Sequence, residues 1–119
     1  MKRIEDKNYY GFVNKLSEHD NRIPMFLEQH KERGFDDTEL WNLDQTIISF
    51  MLPRLKRFKD MAVGYPSDLT SDKWNDTLQK MINAFELIKK DNLVYSDEDN
   101  IIIELGLDLF TKHFLDLWY

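Results

Sequence analysis

Between residues 40 and 62 the apolar side chains are Leu40, Leu43, Ile47, Met51, Leu55, Phe58 and Ala62, three or four apart throughout. That spacing is one face of an α-helix, whereas a strand would alternate by two. Trp41, Ile48 and Leu52 widen the stripe. Trp74, Leu78, Met81, Phe85 and Ile88 make a second row of this kind, and Ile103, Leu107, Phe110, Phe114 and Leu117 a third. Broad apolar stripes on several helices have to share a core. Four glycines and three prolines in 119 residues leave little material for tight hairpins. The expected fold class is all-α: a compact bundle of four or five helices, in a single domain over residues 1–119, with a long central helix kinked by proline.

The element boundaries follow from caps and breakers. Residues 7–33 read as one or two helices. Pro24 suits the first turn of the second, and Gly34 suits a left-handed cap at its end. Asp36 then caps the central helix, and Glu39, three residues later, reaches back to it. Continuous from 38 to 62, that helix would span ~37 Å. Pro53 lies inside it and predicts either a kink near 49–53 or two helices meeting there. Gly64-Tyr65-Pro66-Ser67-Asp68 reads as a turn. Thr70 caps the next helix and Ser96 the last, with Asp97, Glu98 and Asp99 in its first turn. Asn92 to Tyr95 suits a short extended piece.

The chain has no cysteine, which excludes disulfide scaffolds, thiolate metal sites and cysteine nucleophiles. The formal charge of −6 is uneven: residues 1–60 balance, and residues 61–119 carry all of it. Such a surface disfavours nucleic acid and suits a basic protein partner. The start, Met1 to Lys7, is charged with no apolar stretch behind it, and no uncharged run approaches the length of a membrane span. The expectation is an intracellular protein without a membrane segment.

Asp44 falls on the long stripe between Leu40 and Ile47, where a carboxylate is costly unless paired. It reads as a buried structural polar group, paired with Arg54 or another basic side chain or hydrogen-bonded to an indole N–H, with a catalytic or metal-binding role as the alternative. Asp44 with Glu86, Glu104 or Asp108 could in principle hold a metal inside a bundle. Dimetal bundles use a Glu-x-x-His pair, however, and none of His19, His30 and His113 follows a glutamate by three. The histidines read as surface or boundary residues. Glu104, Asp108 and Lys112 form the row expected of a solvated helix face. Phosphate loops, nucleophile elbows and His-Glu-x-x-His are missing. No catalytic residue, metal or cofactor is therefore assigned.

The dense basic run Arg54, Lys56, Arg57, Lys59 reads as a solvated face that pairs with the acidic second half. The carboxylates Asp91, Asp97, Glu98, Asp99, Asp108 and Asp116 are candidates for partner binding, since spaced carboxylates on helices resemble a phosphate backbone. Tyr65 in its turn and Trp118 near the end join them, because aromatics dominate binding hot spots.

Gly34-Phe35, Trp41 to Ile47, Leu52 to Lys59, Gly64-Tyr65-Pro66, Leu69-Thr70, Trp74 and Lys80 to Glu86 form a pattern, continued by Leu107 to Trp118. It is similar to a set of short proteins encoded by bacteriophages and prophages. The resemblance covers about the last two-thirds of the chain and leaves the first 33 residues unmatched. The set carries no assigned activity, so no catalytic residue is transferred. The resemblance implies a viral origin and the bacterial cytoplasm as workplace. The expected function is a non-enzymatic phage accessory protein that binds a host or phage protein, in its sharpest form an acidic inhibitor of a defence or nucleic-acid-processing protein. A carboxylate-based enzyme or metal protein and a self-assembling structural component are the alternatives.

Overall fold

The computed structural model describes residues 16, 17 and 19–118. Among these the only regular elements are helices: α1 (Ile23–Arg33), a 3-10 turn (Asp37–Leu40), α2 (Leu43–Met61), α3 (Ser71–Lys89), α4 (Asp97–His113) and a final 3-10 turn (Phe114–Asp116). The all-α class therefore stands, with four α-helices among the described residues. Asn92 to Tyr95 forms a bend rather than an extended piece. The part of the expected first helix before residue 16 lies outside the described residues. The chain divides into two compact units, with the boundary between Phe50 and Met51, inside α2.

In the first unit, α1 starts with Pro24 in its opening turn, where the missing N–H costs nothing, and ends at Gly34, whose φ is 83°. The Gly34 N–H donates to the His30 carbonyl at 2.8 Å. Asp36 and Glu39 form the expected capping box, but on the 3-10 turn. The chain re-forms at Leu43, so α2 starts five residues later than the pattern suggests. It then runs without interruption through Pro53, which excludes two separate helices there.

The later start displaces Asp44. It stands in the first turn of α2, exposed, where the helix dipole favours a carboxylate, and not in mid-stripe. The buried face of α2 is Gln45, Ile48, Leu52 and Leu55. Leu43 and Ile47, assigned to the core by spacing, are about half exposed, as is Leu40 ahead of them. Arg54 points well away from the buried face and is exposed too. The reading of Asp44 and Arg54 as buried polar residues is thus corrected.

The second unit is built on α3 and α4. Thr70 Oγ1 accepts from the Lys73 N–H at 3.2 Å, and Ser96 Oγ accepts from the Asp99 N–H at 3.1 Å, as their positions predict. Trp74, Leu78, Met81, Ile82, Ala84 and Phe85 are buried along α3. Phe110 meets Phe85 edge to face with ring centroids 5.3 Å apart. Tyr95 donates its hydroxyl to the Leu87 carbonyl at 2.8 Å and ties the α3–α4 connection to the end of α3.

On α4 the packed side runs through Asp99, Ile103, Gly106, Phe110 and His113, of which only Gly106 and His113 are fully buried. Leu107 and Phe114, expected in the core, are exposed. Gly106 explains the close approach of the two helices. A Cβ there would stand 2.2 Å from Ala84 Cβ and 2.8 Å from the Lys80 carbonyl oxygen. Gly106→Ala is therefore expected to destabilise by about 1–3 kcal/mol, the overpacking penalty, even though alanine is the better helix former. A lowered midpoint in chemical denaturation checks this; a stabilised variant would contradict it.

Candidate functional site

Two arrangements gather chemistry-bearing side chains, one in each unit.

In the first unit, His30, in the last turn of α1, faces the capping box. Its Nε2 lies 2.8 Å from Asp36 Oδ2 and 3.2 Å from Glu39 Oε2. The three side chains are 3%, 0% and 6% exposed, respectively. Each carboxylate is held by the local backbone. Asp36 Oδ1 accepts from both the N–H and the hydroxyl of Thr38, and Glu39 Oε2 accepts from the Asp36 N–H at 2.8 Å. The turn is also fastened to α1 from outside. Gln29 bridges to the Asp37 backbone N–H and carboxylate, and Arg33 pairs with Asp37 at 2.6 Å. The Arg33 and Gln29 donors hold the Asp37 carboxyl below its ordinary range. Trp41 packs edge to face on Phe26 at 6.0 Å, with the Arg22 guanidinium 5.4 Å from the Trp41 ring centroid.

Sequence reasoning found the capping box and missed the histidine. Its signal was present: His30 stands four residues before a glycine cap and six before an aspartate that must face back. His113 is also buried, with Nδ1 2.9 Å from Asp116 Oδ2 and its ring against Trp74 at 5.3 Å. Two of the three histidines are therefore interior groups and not surface ones; His19 is exposed.

In the second unit a cleft of about 160 Å³ is lined by Val63, Gly64, Tyr65, Pro66, Asp116 and Trp118. It brings together three of the residues proposed for partner binding, Tyr65, Asp116 and Trp118. Trp118 is 75% exposed, so it does not close the core. The chain from residue 91 onward holds seven carboxylates against one basic residue, Lys112. Asp97, Glu98, Glu104 and Asp108 are all exposed on α4, and Ile101 and Leu105 stand exposed on the same outward side. Asp99 differs: it turns toward the packed side and is half-buried. Asp91 follows the Lys90 cap of α3, exposed and with a φ of 54°.

The carboxylates considered for a metal do not gather. Glu86 is committed to Lys56 at 2.6 Å, an ion pair of the kind expected for the basic run. Glu104 and Asp108 lie on the solvent side. Among the described residues the one grouping with metal-ligand geometry is His30, Asp36 and Glu39. No helix among them is long and apolar enough to cross a membrane. No family model, curated protein or solved structure matches the chain.

Proposed function

We propose that the chain is a non-enzymatic phage accessory protein that acts by binding another protein. It takes a basic segment of a host or phage partner in the Tyr65–Trp118 cleft and along the outward side of α4. The observation that carries this reading is the cleft itself. Two exposed aromatics and a carboxylate from distant parts of the sequence converge there. A lysine or arginine has an apolar stem that aromatic faces cover and a head that a carboxylate receives. The excess of carboxylates from residue 91 onward would attract such a partner from a distance. Interference with a defence or nucleic-acid-processing protein is the form that the acidic surface and the phage resemblance favour. The workplace is then the bacterial cytoplasm.

The test is capture of a partner from bacterial lysate at low and high salt, followed by calorimetry with the purified partner. Trp118→Ala is expected to weaken binding at least tenfold, as removal of a central aromatic does. Glu104→Lys with Asp108→Lys is expected to slow association and flatten its salt dependence. A partner whose affinity neither change moves would overturn the reading.

Self-assembly is a second reading, favoured by the exposure of Leu43, Ile47 and Phe50 on α2. Light scattering at two concentrations separates the two, since a monomer at both leaves only the partner.

A further inference from the structure

We propose that His30, Asp36 and Glu39 bind a divalent transition-metal ion, with zinc as the best match, and that the ion staples the end of α1 to the 3-10 turn after it. This inference is independent of the partner-binding reading.

The donor set is one imidazole nitrogen and two carboxylate oxygens, a combination that zinc accepts at three positions of a tetrahedron. One ligand atom from each residue falls within 4.8 Å of the others, and all three residues are buried. With bonds of about 2.0 Å, ligand atoms on a tetrahedral zinc stand ~3.3 Å apart. The His30–Glu39 separation of 3.2 Å already meets that, and the His30–Asp36 separation of 2.8 Å needs a small outward adjustment.

Direction matters as much as distance. Asp36 Oδ2 is fully buried and accepts no hydrogen bond, even with the imidazole Nε2 so near. The contact therefore lies off the axis along which the ring nitrogen would donate. In a hydrogen bond the oxygen lies on that axis. In a metal site the ion lies on it, and the oxygens stand to the side.

Charge balance points the same way. The imidazole, even when protonated, offers one positive charge to the two carboxylates it faces. A divalent cation with neutral His30 cancels both. The outer shell is already built, because metal-binding carboxylates are themselves hydrogen-bonded. The Thr38 N–H and hydroxyl hold Asp36 by Oδ1 and leave Oδ2 for the ion, while the Asp36 N–H orients Glu39.

The experiment uses the full chain, freed of any histidine tag and stripped with chelator, and titrated with Co²⁺ and then Zn²⁺. One equivalent of Co²⁺ is expected to give visible ligand-field bands that Zn²⁺ abolishes. In the wild-type protein, the ring signals of His30 should shift on Zn²⁺ addition while those of His19 and His113 stay. Glu39→Gln keeps an acceptor for the Asp36 N–H, so the capping box survives. It is expected to weaken Zn²⁺ binding at least tenfold with unchanged circular dichroism. Asp44→Asn, exposed on α2, should leave the affinity as it is. Wild-type protein that shows no ligand-field bands, or in which another histidine responds, overturns the site. So does a folded Glu39→Gln variant that binds Zn²⁺ as tightly as wild type.

Discussion

Phe85→Ala is expected to cost about 3–5 kcal/mol, a large share of what a domain of this size holds in total. Phe85 is 1% exposed, beside Leu78, Met81 and Ala84 at 0%, and its ring meets the edge of Phe110. Truncation removes the ring's burial and its edge contact with Phe110, and leaves a cavity in the most buried part of α3. Denaturant unfolding measures it. Leu107→Ala is the companion, because spacing alone puts Leu107 on the core stripe of α4 and the structure leaves it 40% exposed. Its cost should stay below about 1 kcal/mol. Equal losses in the two variants would mean that α4 is rotated from the orientation described.

These two residues mark where sequence reasoning holds and where it stops. Helix ends were legible because capping is local. Thr70, Ser96, Asp36 with Glu39, and Gly34 each satisfy or release a backbone group within a few residues. The phase of α3 was legible because its other sides are polar. The phase of α2 was not. Leu43, Ile47 and Phe50 form one apolar row, and Ile48, Leu52 and Leu55 another about 140° away at 3.6 residues per turn. Helical period alone does not choose between two such rows. Asp44 followed the wrong row into an expected interior. On α4 the decisive residue is Gly106, which spacing passes over because it has no side chain. The candidate sites were legible in their members and not in their meetings. Tyr65 and Trp118 lie 53 residues apart in the sequence, and only the return of the chain end beside the 63–66 turn makes a cleft of them. Asp36 and Glu39 read as a cap, and the spacing of His30 from Gly34 and Asp36 becomes informative only once the left-handed turn at Gly34 brings them together.

Removing that histidine should be the most damaging polar change in the first unit. His30→Gln leaves Asp36 and Glu39 buried without the imidazole that faces them, and removing one partner of a buried polar contact of this kind costs about 3–5 kcal/mol. A second substitution distinguishes lost charge balance from lost packing. Asp36→Asn removes one buried charge and keeps a side chain that caps a helix well. If the charges are what couple these residues, the double variant should be more stable than the two single losses predict by about 0.5–3 kcal/mol. The cycle is measured by denaturation in chelator, so that metal binding does not enter. Simple additivity would mean that the imidazole acts as filler between α1 and the turn, and that the carboxylates are held by Thr38 and the backbone alone. Coupling of the expected sign would instead make His30 the residue that allows two carboxylates to stay dry.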